Sequence, residues 1–143
     1  MSSQILDSYT SVKFQWKLNT FSKLGPKHES AVFSVRNLKW KVEVYPKGTS
    51  KTYDQLALFL VPADKNKLPY AEYSFVVTSQ TNSANNFKGP EGKHKFTRDS
   101  ATGRGWSSFM PLAQLHDRSK GYLQHDTCII EVMVTCRTSE ARA

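Results

Sequence analysis

The chain has 143 residues, the length of one domain, and no apolar run approaches the roughly 18 residues that a membrane span needs. It is basic, with a net charge of +8, yet no block of like charges reaches the length of a basic tail. Seventeen aromatic residues (eight Phe, six Tyr, three Trp) in a chain only 38% hydrophobic suit a β-rich core under a polar exterior.

Read along the chain, period-two alternation dominates. Val12, Phe14, Trp16 and Leu18 alternate with Lys13, Gln15 and Lys17, the mark of a half-buried strand. Thr20 is expected to cap one helical turn through Leu24, and Gly25-Pro26 marks a loop. Ala31 to Val35 is a short strand. Trp40, Val42 and Val44 then alternate with Lys39, Lys41 and Glu43 until the turn from Pro46 to Gly48. Leu56, Leu58 and Leu60 form an inward set, which turns Phe59 outward. After a loop from Ala63 to Leu68 a longer strand is expected from Tyr70 to Gln80, followed by a polar run from Thr81 to Gly92. Lys93 to Arg98 and Gly105 to Phe109 are further strands. If Phe109 enters the core, parity places Gly105 and Ser107 with it and Trp106 outside. Pro111 suits the first position of a turn through His116. Thr127 to Cys136 is the last strand.

Seven or eight short strands separated by turns, with one or two helical turns, predict an all-β antiparallel sandwich or barrel. The domain is expected to span 8–137, with flexible ends at 1–7 and 138–143. The opening Met1 to Asp7 lacks the basic start and long apolar region of a signal peptide. Outward Phe59 and Trp106 would make an apolar surface patch, or a satellite cluster under a long loop.

Cys128 and Cys136 lie eight residues apart on one strand, roughly 27 Å, too far for a mutual disulfide. They share parity with Ile130, Val132 and Val134 and are expected to be buried free thiols, which suits a reducing compartment. His28, His94, His116 and His125 have no partner at i+4, and no Cys-x-x-Cys occurs, so the common zinc spacings are missing. His125, Asp126 and Cys128 cannot act together when neighbouring strand residues point to opposite faces. Phosphate-binding glycine loops and nucleophile elbows are also missing. No enzymatic activity, cofactor or metal is expected.

One resemblance runs through most of the chain. Phe14-Gln-Trp-Lys-Leu-Asn-Thr-Phe is followed in order by Phe33-Ser-Val-Arg-Asn-Leu-Lys-Trp-Lys-Val-Glu-Val-Tyr-Pro-Lys-Gly, Leu56-Ala-Leu-Phe-Leu and Tyr70-Ala-Glu-Tyr-Ser-Phe-Val-Val. Gly105-Trp-Ser-Ser-Phe-Met-Pro-Leu and Gly121-Tyr-Leu-Gln-His-Asp-Thr-Cys-Ile-Ile-Glu-Val-Met-Val close the series. This order resembles the MATH domain (meprin and TRAF homology, or TRAF-C), above all the MATH domains of plants and of ubiquitin-specific proteases.

The resemblance implies a β-sandwich that binds a short peptide of another protein along a sheet edge by β-augmentation. It implies an adaptor that recruits substrates in a ubiquitin-related or TRAF-like signalling context, in the cytoplasm or nucleus. Matched motif to motif, the edge strand is Arg104, Gly105, Trp106, Ser107 and Ser108. The pocket aromatics fall on Phe59, Tyr73 and Trp106, with His94 at a position that is often aromatic. Parity alone puts Tyr73 on the face of Phe75 and Val77, inside the core. Ubiquitin-related members commonly carry Asp-Trp-Gly-Phe here, where the Asp-Trp pair helps to hold a ligand serine. This chain reads Gly103-Arg104-Gly105-Trp106, so a guanidinium stands beside the missing carboxylate and favours an acidic or phosphorylated ligand residue. Two other readings remain open at this point. Basic residues near exposed aromatics could bind single-stranded nucleic acid, and the domain could be structural or oligomerising, without a peptide ligand.

Overall fold

The alternating segments pair into two antiparallel sheets. A computed structural model describes residues 4–64, 66, 70–97 and 103–142, with side chains described between 9 and 136. The first sheet has the order β1-β11-β6-β7, where β1 is Gln4–Leu18, β6 is Tyr70–Val77, β7 is Phe87–Lys88 and β11 is Thr127–Arg142. In it β8 (Gly92–Lys95) also pairs with β6, and β10 (Leu123–Gln124) with β11. The second sheet has the order β2-β4-β5-β9, namely His28–Glu29, Leu38–Tyr45, Gln55–Pro62 and Arg104–Pro111, with β3 (Phe33–Val35) also on β4. This is the all-β antiparallel sandwich expected from the alternation.

The core lies between the sheets. Phe75, Val77, Ile130, Val132 and Val134 face Trp40, Val42, Val44, Leu56, Leu58 and Leu60, and all are buried. Burying a side chain of this kind is worth about 1.5–3 kcal/mol. The β1–β11 ladder runs from Leu18↔Cys128 to Gln4↔Arg142, past the limits of 8 and 137 expected for the domain. Cys128 and Cys136 are buried and free, as parity required. Burial pushes their thiols up to about 12 and about 11.

Several boundaries differ from the sequence expectation. A 3₁₀ turn forms at Phe21–Lys23, but Thr20 adopts a left-handed φ of 52° and makes no capping bond with its side chain. Asp126 takes that role from the other end of the chain. Its carboxylate accepts from the Ser22 N–H at 2.9 Å and from the Ser22 hydroxyl at 2.6 Å. Asp126 can do so because it and His125 form the two-residue turn between β10 and β11, with φ of 59° and 51°.

The strand expected to reach Gln80 stops at Val77. Gln80 instead turns its side-chain amide to the carbonyls of Tyr122 (2.9 Å) and Thr127 (2.7 Å), tying this loop to the β10–β11 hairpin. A second 3₁₀ turn, Ser83–Asn85, is capped by Asn82 accepting from the Ala84 N–H. The last helical turn, α1, is Leu112–Leu115, and Pro111 caps it rather than occupying its first position. The expected strand from Lys93 to Arg98 is β8, and Arg98 lies outside the described residues.

Candidate functional site

The end of the second sheet is β9. It pairs with β5 on one side, and among the described residues no strand pairs with its other side. An unpaired edge carries a row of backbone donors and acceptors that another extended chain can use.

β9 is not a regular strand. Trp106 lies opposite Leu58 and Met110 opposite Leu56, so four steps along β9 match two along β5. Within this irregularity the Thr52 hydroxyl donates to the Ser107 carbonyl at 2.8 Å, so the loop before β5 occupies the gap. Within such an irregularity the period-two parity fails, and Phe109 lies inside it, just before Met110 resumes the pairing. Trp106 and Phe109 can then both turn inward, although they are three residues apart. The expectation that Trp106 faces out is therefore corrected. Its ring packs at 5.5 Å from Tyr73, 6.0 Å from Phe75 and 6.2 Å from Phe109, and it remains only partly buried.

Tyr73 faces inward, as its parity with Phe75 and Val77 indicated, and is 7% exposed. Its ring lies over Gly92, its cross-strand partner, where any Cβ would run into the phenol. Burial raises the Tyr73 phenol pKa, and the charge of Arg104 acts against that rise. His94 lies on β8 opposite Ala71, edge-on to Phe96 at 4.8 Å. Burial and then the charge of Arg104 lower its pKa, which favours the neutral imidazole. Arg104 is exposed at the start of β9, with its charge felt by both Tyr73 and His94. The fold thus brings Trp106 against Tyr73, and the charge of Arg104 near both Tyr73 and His94.

Phe59 is not part of that group. It pairs with Gly105 and Glu43 on the outer face of the second sheet, and its ring meets Tyr45 edge-on at 5.7 Å. There it lines a pocket of about 660 Å³ together with Tyr45, Val61 and Gly103. Lys27 and Lys41 on its rim are paired with Glu43 and Glu29, at 3.2 Å and 2.9 Å. These pairs raise the pKa of Lys27 and lower that of Glu29. Gly105 has a structural reason to be glycine, because a Cβ there would collide with the Leu58 carbonyl oxygen. Ser107 and Ser108 are exposed.

Sequence reasoning missed Thr52, Gly92 and the Tyr45–Val61 floor. Only Gly103 and Gly105, with one residue between them at the start of β9, were a readable signal for an open face. Among the described residues no group of three His, Cys, Asp or Glu is placed to hold a metal, and no helix is long and apolar enough to cross a membrane.

The structure is a two-sheet antiparallel sandwich with an unpaired edge strand beside an aromatic cluster. The family model for the MATH domain matches residues 13–134, and the chain belongs to the MATH domain family. It is 37% identical over 134 residues to ubiquitin C-terminal hydrolase 13 of Arabidopsis thaliana, covering 89% of this chain and 12% of that protein. It is 35% identical over 144 residues to ubiquitin C-terminal hydrolase 12 of the same plant, covering 96% of this chain and 12% of that protein. A MATH domain and coiled-coil domain-containing protein of Arabidopsis thaliana is 33% identical over 129 residues, 86% of this chain and 37% of its own length. The chain therefore spans a minor part of each of these relatives. MATH domains are protein-interaction domains that carry no catalytic machinery of their own.

Proposed function

We propose that this domain is an adaptor that binds a short linear motif of another protein along β9. The observation that carries this reading is the unpaired edge of Arg104–Pro111 beside the cluster of Tyr73, His94, Arg104 and Trp106. An extended peptide adds as a strand against residues 104–108, its backbone bonding to the edge and alternate side chains reaching the cluster. Arg104 favours an acidic or phosphorylated residue at the facing position, through a charge-assisted bond. The net charge of +8 assists the approach of such ligands. The names of the Arabidopsis relatives suggest recruitment in the ubiquitin pathway as the setting. The free buried thiols suit a cytoplasmic or nuclear site.

An edge of five residues is about 17 Å long. The interface then stays below about 1,000 Å² and the complex is transient, with a dissociation constant of about 1 μM or weaker. The nucleic-acid reading receives less support, because Phe59 and Trp106 lie on opposite faces of the sheet and cannot form one stacking platform. The experiment is a peptide array probed with the domain, followed by calorimetric titration of the best peptide with wild type and Arg104→Glu. The substitution is expected to weaken peptides with an acid facing Arg104 by about tenfold or more and to spare neutral ones. Equal affinities for both peptide classes would remove Arg104 from the reading.

A further inference from the structure

Residues 107–109 sit where the ladder to β5 is interrupted. Leu58 pairs with Trp106 and Leu56 with Met110, and between these pairs the register shifts. An interrupted strand has several ways to run, and each turns different backbone groups to its free edge. The loop before β5 selects one of them, because it bonds the irregular segment near both ends. The Thr52 hydroxyl donates to the Ser107 carbonyl at 2.8 Å, and the Leu112 N–H, just past β9, donates to the Asp54 carbonyl at 2.9 Å.

Thr52 is itself held in place. Thr49 Oγ1 lies 2.8 Å from Thr52 Oγ1 and accepts from the N–H groups of Lys51 at 3.3 Å and Thr52 at 3.2 Å. A hydroxyl has one proton to give. That of Thr52 goes to Ser107, so Thr49 is the donor between the two hydroxyls. A directed chain of bonds results, from the Thr52 N–H through the Thr49 and Thr52 hydroxyls to the Ser107 carbonyl, and each bond polarises the next. Gly48 allows the loop to close this tightly, with φ of 84° and no room for a Cβ against the Thr52 carbonyl. That carbonyl accepts from the Gln55 N–H at 3.1 Å, where β5 begins.

We infer that Thr52 is a positioning residue for the docking edge: its hydroxyl commits the Ser107 carbonyl to the loop, keeps the irregularity in place, and so sets which backbone groups of residues 106–108 an added strand meets. This role rests on strand addition at β9 as proposed above. Thr52 need not touch the peptide, because it acts through the Ser107 peptide group. Trp106 immediately precedes that group, so the lean of its ring on Tyr73, at 5.5 Å, depends on the same bond. The chemistry required at position 52 is a donor hydroxyl on Cβ. Ser supplies it with less bulk, whereas Val keeps the shape of Thr and has no proton to give.

The test compares wild type, Thr52→Val and Thr52→Ser by calorimetric titration with the best array peptide, and by the indole N–H signals of the isotope-labelled domain. Trp16 and Trp40, both buried in the core, serve as internal references. Thr52→Val is expected to bind about fivefold more weakly, the worth of one hydrogen bond, and to move the Trp106 signal while those of Trp16 and Trp40 stay. Its melting temperature is expected to fall by no more than about 4 °C, since the lost bond lies at the surface. Thr52→Ser is expected to bind within about twofold of wild type, with the Trp106 signal in its wild-type place. Equal affinity of Thr52→Val and wild type, an equal loss in Thr52→Ser, or a Trp106 signal that does not move overturns the inference while leaving strand addition intact. If Thr52→Val does not fold, Thr52→Ala takes its place with the same expectations. Failure of both to fold assigns the hydroxyl to stability alone and also overturns the inference. Failure of wild type to bind any peptide of the array overturns both.

Discussion

Truncation of Trp106 to Ala removes a ring that leans on Tyr73, Phe75 and Phe109 and also borders the free edge of β9. Full burial of a Trp would make the change cost about 3–5 kcal/mol. Trp106 is partly buried, so roughly half of this, about 2 kcal/mol, is expected. Domain stabilities of about 5–15 kcal/mol absorb such a loss, and the variant should fold. At roughly 3–4 °C per kcal/mol for a domain of this size, its melting temperature should fall by roughly 6–8 °C. Binding should suffer as well. A central aromatic contact worth about 2 kcal/mol corresponds to a loss of roughly thirtyfold in affinity. Thermal unfolding followed by circular dichroism gives the first number, and calorimetric titration with the best array peptide gives the second. A melting temperature unchanged within about 1 °C would show that the ring does not pack on Tyr73, Phe75 and Phe109. Unchanged affinity in a folded variant would show that the peptide docks elsewhere.

Gly105→Ala should be costly although it adds one methyl, because that methyl meets backbone at Leu58 and β9 must shift away from β5. A loss of about 1–3 kcal/mol is expected in denaturant unfolding, with weaker peptide binding, and a neutral result would mean that the two strands are not so close. Ser22 hydrogen bonds hold the Asp126 carboxyl below its usual pKa. Its contribution to stability is therefore present above about pH 4 and is lost as pH falls through the lowered folded-state pKa. Asp126→Asn should accordingly lose less melting temperature than wild type between pH 5 and pH 2, and parallel pH profiles would contradict the Ser22–Asp126 contact. Neither Cys128 nor Cys136 should react with a maleimide in the native protein at pH 7, because both thiols are buried and protonated. Both should react in denaturant, and rapid native labelling of either would show that its face of β11 is open.

Much of the architecture was legible because a strand writes its two faces into alternate residues. Trp40-Lys-Val-Glu-Val and Thr127 to Cys136 show which residues turn inward before any partner strand is known. The same rule buried Tyr73 and placed Phe59 outside, and both positions agree with the fold. It failed at Trp106, where β9 takes four steps against two on β5. Nothing in Gly105-Trp-Ser-Ser-Phe announces that irregularity, since it arises from the fit to β5 and from the Thr52 hydroxyl that enters the gap. The cap on the first 3₁₀ turn is similar. Thr20 has the right chemistry, but Asp126 is better placed, and the two are over a hundred residues apart in the chain.

By itself, then, the sequence determined the all-β class, the inward face of most strands, the burial of both thiols and membership of the MATH family. Each of these depends on residue type and spacing within one segment, or on the order of such segments. The tertiary structure alone decided that Trp106 turns in beside Tyr73 and that Phe59 and Arg104 lie on opposite faces of one sheet. Those features depend on pairing between distant segments. Register, close approach at Gly105 and the neighbours of a charge are set by contacts that no local pattern records.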